Sequence, residues 1–273
     1  MKSASASFRS FMAEKLDGIG FRTSIADPDV WLRPAMKPSG EEYYEYILMY
    51  VDDILVISVG AVEILQEMQS QVKFKNDKIE TPNGYLGAKL EMKSLNGNDV
   101  WTMTSVSYVK AAIANVERTI KGKRWKLPAR VQTPMVSSYL PELDETPELE
   151  KDDVQYYQEL IGVLRWATEL GRVDILLEVS LLSQYQAAPR EGHLEQLLHI
   201  FAYLRKKPKV TLYLDPALPN LDYTIFLTSA EDFIDYYRDD QEQSPHQLPK
   251  PRGRPVTLTS YVDASHAANR KNR

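Results

Sequence analysis

Cysteine is absent from this 273-residue chain. Without cysteine the protein has no disulfide framework, no thiolate metal site and no thiol nucleophile. Long apolar runs are lacking too, because the most apolar window, residues 47–57, is interrupted by Asp52 and Asp53 and is too short to span a bilayer. The first residues lack the apolar core of a secretory signal. We therefore expect an intracellular protein, cytoplasmic or nuclear, that is not secreted and has no membrane partner.

Several common catalytic motifs are missing as well. Gly84 and Gly87 do not have the pattern of a glycine-rich phosphate loop, and the chain contains no Gly-x-Ser-x-Gly elbow. His193 and His199 are six residues apart, so they do not form the i, i+4 pair of a helical metal site. These features argue against a cofactor loop, a serine triad and a paired-histidine site. Both histidines are expected to have ordinary helix roles.

The composition is typical of a folded globular protein, with 43% hydrophobic and 26% charged residues. The length predicts about two or three packed units. A net charge of −5 argues against a protein whose whole surface holds nucleic acid. The charge is unevenly distributed, since residues 142–153 are acidic while an earlier stretch is basic and contains no acid. The basic residues of that stretch are Arg118, Lys121, Lys123, Arg124, Lys126 and Arg130.

Hydrophobic periodicity predicts two helices and a hairpin in the first part of the chain. Apolar residues at helical spacing indicate one helix over residues 5–18 and another over residues 61–72. The aromatic and β-branched run Tyr43–Tyr50 and the apolar run Ile54–Ile57 predict two strands joined at Val51-Asp52-Asp53. The expected apolar stripe of the second helix comprises Val62, Leu65, Met68 and Val72.

A second hairpin is predicted further along the chain. The runs Tyr85–Met92 and Val100–Met103 have strand character and flank Asn96-Gly97, a strong turn signal. Ser105 or Ser107 can cap the helix that follows. The apolar stripe expected for that helix comprises Tyr108, Ala112 and Val116.

The second half of the chain is predicted to be mainly helical. Residues 121–151 lack sustained periodicity and predict a linker or an extended crossing segment. Residues 152–207 predict three helices with breaks near Gly171 and Pro189. A last strand is expected over residues 257–262. The residues expected to form a helical core are Leu164, Trp166, Leu176, Leu177 and Leu181.

Asp52 and Asp53 are the main candidates for chemistry. Burying two adjacent carboxylates is expensive, because each raises the pKa of the other and burial adds a desolvation cost. A divalent cation removes that difficulty, and Mg²⁺ prefers hard oxygen ligands of this kind. The alternative is that the pair forms a solvated hairpin turn, for which aspartate is a favoured residue.

The context of the pair resembles a known family. The segment from Ile47 to Ser58, with Tyr50-Val51-Asp52-Asp53 at its centre, resembles the Tyr-x-Asp-Asp palm motif of copia-type retrotransposon reverse transcriptases. The resemblance covers nearly the whole chain in order. Its further segments are Gly20-Phe21, Ala26 to Trp31, Tyr85-Leu86-Gly87, Tyr157 to Trp166, Arg172 to Ile175, His193 to Leu204 and Tyr261 to Ala267.

The resemblance implies roles for the hairpin residues. Asp52 and Asp53 correspond to the catalytic palm carboxylates, with Asp52 the more direct Mg²⁺ ligand. Tyr50 and Val51 would line the place where the primer end meets the incoming deoxynucleotide. In the intact family the reaction is DNA synthesis on an RNA template from a DNA primer, by two-metal catalysis.

Other implied sites lie outside the hairpin. Leu86 and Gly87 would support the primer strand, and Asp263 would be the first metal-binding carboxylate of an attached ribonuclease H domain. The basic residues Lys121, Lys123, Arg124 and Lys126 are expected to contact template phosphate, and Trp125 to stack on a base. The alternative for that stretch is a solvated connector with Trp125 in the core.

The sequence departs from the family in one respect that affects activity. The family has another palm aspartate upstream of the first helix, together with the fingers that receive the nucleotide. Asp17, Asp27 and Asp29 are the only aspartates before the hairpin, and their settings do not resemble that strand. We therefore expect a truncated fragment with little or no polymerase activity alone, for which another polypeptide would have to supply the upstream region.

The resulting expectation is an α+β protein. It comprises a partial palm over residues 1–120, a linker over 121–151, a helical thumb or connection region over 152–207, and a connector with a truncated ribonuclease H-like start over 208–273. Two alternatives stay open, a non-catalytic remnant that binds nucleic acid or a partner, and a decayed open reading frame.

Overall fold

A computed structural model describes residues 2–74, 78–217 and 248–254. The protein contains both helices and antiparallel sheets, so the predicted α+β class is confirmed. The chain divides into two compact units. Of the described residues, the first unit comprises 2–74, 78–80, 216–217 and 248–254, and the second comprises 81–215. The four domains expected from the family resemblance stay a prediction.

The first unit is a four-stranded antiparallel sheet with two helices. The chain enters through α1 (Lys2–Gly18) and then forms the strands in the spatial order β1-β2-β3-β4. The strands are β1 (Arg22–Thr23), β2 (Val30–Met36), β3 (Glu42–Tyr50) and β4 (Asp53–Ile57). Helix α2 (Ala61–Gln69) follows. The predicted first helix, the hairpin and the second helix are all confirmed.

The core of the first unit lies on one face of this sheet. Along β3, Ile47 and Met49 are buried while Tyr46 and Tyr50 are exposed, as the period of two in a strand requires. Helices α1 and α2 pack their apolar faces into the same cluster. In α2 the buried residues are Ile64 and Met68. The predicted stripe was partly wrong, because Val62 is 51% exposed.

The second unit begins with another four-stranded antiparallel sheet. Its strands, in the order β5-β6-β7-β8, are β5 (Gly84–Tyr85), β6 (Ala88–Leu95), β7 (Asn98–Thr104) and β8 (Leu212–Leu214). Asn96 and Gly97 both have positive φ angles, of 52° and 82°, and join β6 to β7 in the predicted hairpin. The prediction of an uninterrupted strand over Tyr85–Met92 was wrong, because the chain turns between β5 and β6.

Four helices complete the second unit: α3 (Val106–Ile120), α4 (Lys151–Glu169), α5 (Leu176–Ser183) and α6 (Glu191–Lys206). The last three confirm the prediction for residues 152–207. Ser105 occupies the N-cap position of α3 but makes no side-chain capping hydrogen bond, and only its backbone oxygen accepts one, from Val109. The predicted capping by a serine side chain was therefore wrong, although the helix begins at the expected place.

The helical core of the second unit includes part of the segment before α4. Residues 121–151 follow an irregular path and bury Trp125, Val131 and Leu149 against the helices. Leu164 is buried, as expected, but Leu176 and Leu177 are exposed. They lie at the start of α5, whose buried residues are Val179 and Leu182, so that part of the predicted core was wrong.

Within the described ranges, none of the helices is both long and apolar enough to cross a membrane. The predicted strand over residues 257–262 and the predicted metal ligand Asp263 lie outside the described residues.

Candidate active site

The candidate site is the turn that joins β3 to β4. Tyr50 and Asp53 are opposite each other in the last pair of the ladder, so Val51 and Asp52 form a two-residue turn. Tyr50, Val51, Asp52 and Asp53 are all exposed. The structure therefore brings together the four residues predicted for the hairpin site. It places them at the surface, so the two carboxylates are not desolvated by burial.

The backbone of this turn is unusual. Val51 has a φ of 55°, in the left-handed region that a β-branched side chain rarely adopts. Holding such a residue there costs about 1–3 kcal/mol, and conformations of this kind cluster at functional sites. Glycine, asparagine or aspartate would fit the same turn with less strain. The valine therefore indicates a requirement at this position other than turn stability.

Buried residues on both strands fix the position of the turn. On β3, Ile47 and Met49 lie in the core of the first unit, and the backbone N–H of Met49 donates to the carbonyl of Asp29 at 2.9 Å. On β4, Ile54 and Val56 are partly buried against the same core. The carboxylates thus extend from a hairpin that is anchored immediately behind them.

A polar cluster that the sequence did not reveal lies further along β3. The buried carboxylate of Glu45 accepts hydrogen bonds from Arg33 Nε at 2.9 Å, Ser58 Oγ at 2.8 Å and Tyr43 Oη at 3.2 Å. Ser58 Oγ in turn accepts from the backbone N–H of Gly60, the N-cap residue of α2, at 2.9 Å. The cluster links β2, β3, β4 and α2, so it positions the hairpin rather than reacting.

The donor chemistry of the turn suits a hard cation. Asp52 and Asp53 supply carboxylate oxygens, which Mg²⁺ prefers. In the part of the chain that the structure describes, no three or more His, Cys, Asp or Glu side chains are grouped closely enough to hold a metal ion. The pair is therefore an incomplete ligand set. Burial does not require a cation beside the pair, because both carboxylates are exposed.

The other predicted primer contacts belong to the second unit. Leu86 and Gly87 form the two-residue turn between β5 and β6, with φ angles of 52° and 90°. Leucine at a positive φ is as unfavourable as valine. Val51, Leu86 and Asn96 are the non-glycine residues with positive φ in the described ranges, and the first two belong to the segments singled out by the family resemblance.

The basic stretch is only partly free to bind phosphate. Lys121, Lys123, Arg124 and Lys126 are exposed. Arg124, however, pairs with Glu191 at 2.6 Å, and this hydrogen bond raises the pKa of the guanidinium. Lys123 lies over the ring of Tyr156, with 5.5 Å between Nζ and the ring centroid.

Trp125 does not have the role expected for a base-stacking residue. Its side chain is buried, and its Nε1 donates to Asp153 at 3.2 Å. The alternative with Trp125 in the core is correct, and the stacking prediction was wrong.

The histidines have structural roles, as expected. His193 is buried, its Nδ1 accepts from the backbone N–H of Arg190 at 2.9 Å, and its Nε2 lies 3.0 Å from the carbonyl oxygen of Pro141. Burial lowers the pKa of His193, so the ring is neutral and Nε2 is the donor to Pro141. His199 Nε2 lies 3.1 Å from the carbonyl oxygen of Thr133.

A buried ion pair accounts for one of the other segments of the resemblance. Arg172, whose side chain is almost fully buried, donates two hydrogen bonds to Asp174 at 2.8 and 2.9 Å. The hydroxyl of Tyr203 donates to the same carboxylate at 3.0 Å. Burial favours a raised pKa for Asp174, but the hydrogen bonds from Arg172 outweigh it and lower the pKa. The group connects the segment between α4 and α5 to α6.

Comparison with known proteins connects this architecture to a mobile element. The chain is similar to a Saccharomyces cerevisiae protein described as a transposon Ty5-1 protein, with 29% identity over 217 residues. The aligned region is 78% of this chain and 62% of the yeast protein, so the chain spans less than two thirds of this curated relative. No family model and no solved structure matches the chain. The similarity supports a retrotransposon-related origin for this protein.

Proposed function

We propose that this chain derives from the polymerase region of a copia-type retrotransposon reverse transcriptase and that the β3–β4 turn is one arm of its catalytic metal site. The observation that carries the proposal is the strained turn, in which Val51 is held in the left-handed region next to two exposed carboxylates. A solvated turn without a function would not need a β-branched residue there. The similarity to a transposon protein supports the same ancestry.

In the intact site, Asp52 and Asp53 would hold Mg²⁺, which activates the primer hydroxyl and stabilises the departing pyrophosphate when bound. The chain's own contribution is positional. The buried residues of β3 keep the carboxylates at the hairpin end, and Tyr50 and Val51 present an apolar surface beside them. Template, primer and deoxynucleotide would meet at this surface.

Activity of this chain alone is proposed to be very low. A two-metal site needs a further carboxylate opposite the hairpin, and no such group is found among the described residues. In the described sheet, β4 is an edge strand that pairs with β3 alone. A strand carrying the further carboxylate could pair with that edge.

The direct test is primer extension on an RNA template. The chain alone should show no extension above the level of its Asp52→Asn variant. A fusion that places the upstream palm and fingers of an active copia-type element before residue 1 should extend the primer in the presence of Mg²⁺. That activity should fall by at least about a thousandfold on Asp52→Asn, because a metal ligand is lost.

Asp152→Asn is the matched control, because Asp152 and Asp153 form an adjacent aspartate pair in the second unit, at the start of α4. This variant should retain the activity of the fusion. Extension that persists in both Asp52→Asn and Asp53→Asn fusions would contradict the proposed site. Extension by the unfused chain that is lost on Asp52→Asn would contradict the proposed lack of activity.

The alternative of a non-catalytic nucleic-acid-binding remnant has less support. Arg124 is paired with acidic side chains, and Trp125 is buried. The other cations of the stretch are exposed, and the structure gives no ion pair for them in the described part of the chain; they are Arg118, Lys121, Lys123, Lys126 and Arg130. Phosphate binding by these cations would be independent of sequence and sensitive to salt, and the base-stacking contact expected of Trp125 is absent.

A further inference from the structure

The sheet of the first unit has a second face, opposite its core. Tyr44, Tyr46 and Tyr50 alternate with the buried residues of β3 and therefore lie on this outer face. Ile57 is directly opposite Tyr46 in the ladder and adds apolar surface. Glu42 lies on the same face at the start of β3. We call this surface, defined by these five residues, the tyrosine face.

Residues 248–254 of the same chain lie against one end of the tyrosine face, and we call them the proline-arginine segment. The hydroxyl of Tyr44 donates to the carbonyl oxygen of Lys250 at 2.8 Å. Arg252 forms an ion pair with Glu42 at 2.9 Å, and its guanidinium lies 5.7 Å from the centroid of the Tyr44 ring. The ammonium group of Lys250 is 3.9 Å from the same Glu42 carboxylate. Backbone, charge and aromatic contacts thus meet at one place.

Burial distinguishes this contact from a loose surface encounter. The side chain of Arg252 is only 20% exposed, whereas the side chain of an arginine in a solvated loop is usually mostly exposed. The Nε atom of Arg252 is shielded from solvent and has no hydrogen-bond partner in the described structure. Such an unsatisfied donor costs free energy, which the other contacts must outweigh. The guanidinium is therefore held between the tyrosine ring and the carboxylate.

The sequence of the segment favours such binding. Pro249 and Pro251 fix their own φ angles, and each also restricts the residue before it to an extended conformation. Leu248 to Pro251 therefore lose little conformational entropy on binding. Aromatic surfaces recognise proline-rich extended peptides in this way, and a carboxylate beside the rings selects for arginine.

We propose that the tyrosine face is a binding surface for extended peptides containing proline and arginine, and that the proline-arginine segment occupies it as a built-in ligand. The segment docks on the first unit of its own chain. Since ligand and surface share one chain, docking is intramolecular, and weak contacts are enough. An external peptide of the same chemistry binds the face only after the segment is released.

Limited trypsin digestion of the full chain tests the docking. Lys250 and Arg254 precede prolines, which block trypsin, so Arg252-Gly253 is the cleavable bond of the segment. Tyr44→Phe removes the hydrogen bond to Lys250 and should raise the initial rate of cleavage at this bond about fivefold. Glu42→Gln should raise it by about two- to fivefold, because the ion pair is partly solvated.

Residues outside the tyrosine face provide the controls. Tyr213 is 47% exposed on β8 of the second unit, and Tyr213→Phe should leave the rate unchanged. Glu41 pairs with Lys37 and not with the segment, so Glu41→Gln should also have no effect. Equal cleavage rates in all four variants and the wild type would overturn the proposal. A rate that depends on protein concentration would show that a second copy donates the segment, which contradicts docking within one chain.

A peptide experiment tests recognition separately. A labelled peptide with the sequence of residues 248–254 should bind the full-length Arg252→Ala chain saturably, and the wild type at least about tenfold more weakly, because its own segment competes. Adding Glu42→Gln to the Arg252→Ala chain should weaken peptide binding, while adding Glu41→Gln should not. Equal binding to the wild type and to Arg252→Ala, or no effect of Glu42→Gln, would refute recognition by this face.

Discussion

Replacing Val51 with glycine should stabilise the β3–β4 hairpin, although the change removes a side chain. The φ of 55° costs valine about 1–3 kcal/mol, and glycine adopts it freely. Glycine reduces this gain by about 0.5–1 kcal/mol, because it increases the conformational entropy of the unfolded chain. Little burial is lost, because Val51 is 56% exposed. The net gain is about 1 kcal/mol, or about fivefold in the opening equilibrium of the hairpin.

Amide hydrogen exchange of β3 and β4 under native conditions measures this equilibrium directly, because it reports the opening of the first unit without unfolding the second. The matched control is Val59→Gly. Val59 is 63% exposed, follows β4 and has no positive φ, so its replacement should slightly reduce protection. If Val51→Gly lowered protection as Val59→Gly does, the turn would not be strained, and the main support for a functional hairpin would be lost.

Further predictions concern the positions of the helices and the polar clusters. A Cβ at Gly192 would clash with the carboxylate of Asp144, so Gly192→Ala should destabilise the second unit by about 1–3 kcal/mol. Gly162→Ala on α4, where a Cβ meets nothing within 4 Å, should stabilise it by about 0.5–1 kcal/mol in the same urea titration. Because burial lowers the pKa of His193, the unfolded chain binds a proton that the folded chain does not. Stability should therefore fall as the pH drops below about 6.5, and an unchanged urea midpoint between pH 7.5 and 5.5 would contradict the buried neutral ring.

Sequence periodicity predicted most of the secondary structure because local chemistry determines it. Asn96 and Gly97 tolerate positive φ, so their turn could be recognised from the sequence. The helical half was predictable from apolar spacing and from breaks at Gly171 and Pro189. The turn at Leu86 was not predictable in this way, because leucine is not a turn residue and only tertiary context holds it at a positive φ.

The polar contacts that position the site depend on register and packing. Arg33 and Glu45 are directly opposite across β2 and β3, but the sequence does not give the alignment of those strands. Trp125 lies in a basic stretch that resembles a nucleic-acid contact, and only the folded chain shows its ring buried beside Asp153. The exposure of Asp52 and Asp53 was likewise undetermined, because a strand junction can be buried or solvated.

The most direct test of the carboxylate hairpin is the binding of Mn²⁺, a paramagnetic substitute for Mg²⁺, followed by NMR. Substoichiometric Mn²⁺ should broaden the amide signals of residues 50–53 first, before those of the adjacent pair Asp152 and Asp153. Asp52→Asn should remove this selectivity and leave the remaining spectrum unchanged. Equal broadening at both aspartate pairs, or no loss of selectivity in the variant, would contradict a metal-binding role for the β3–β4 turn.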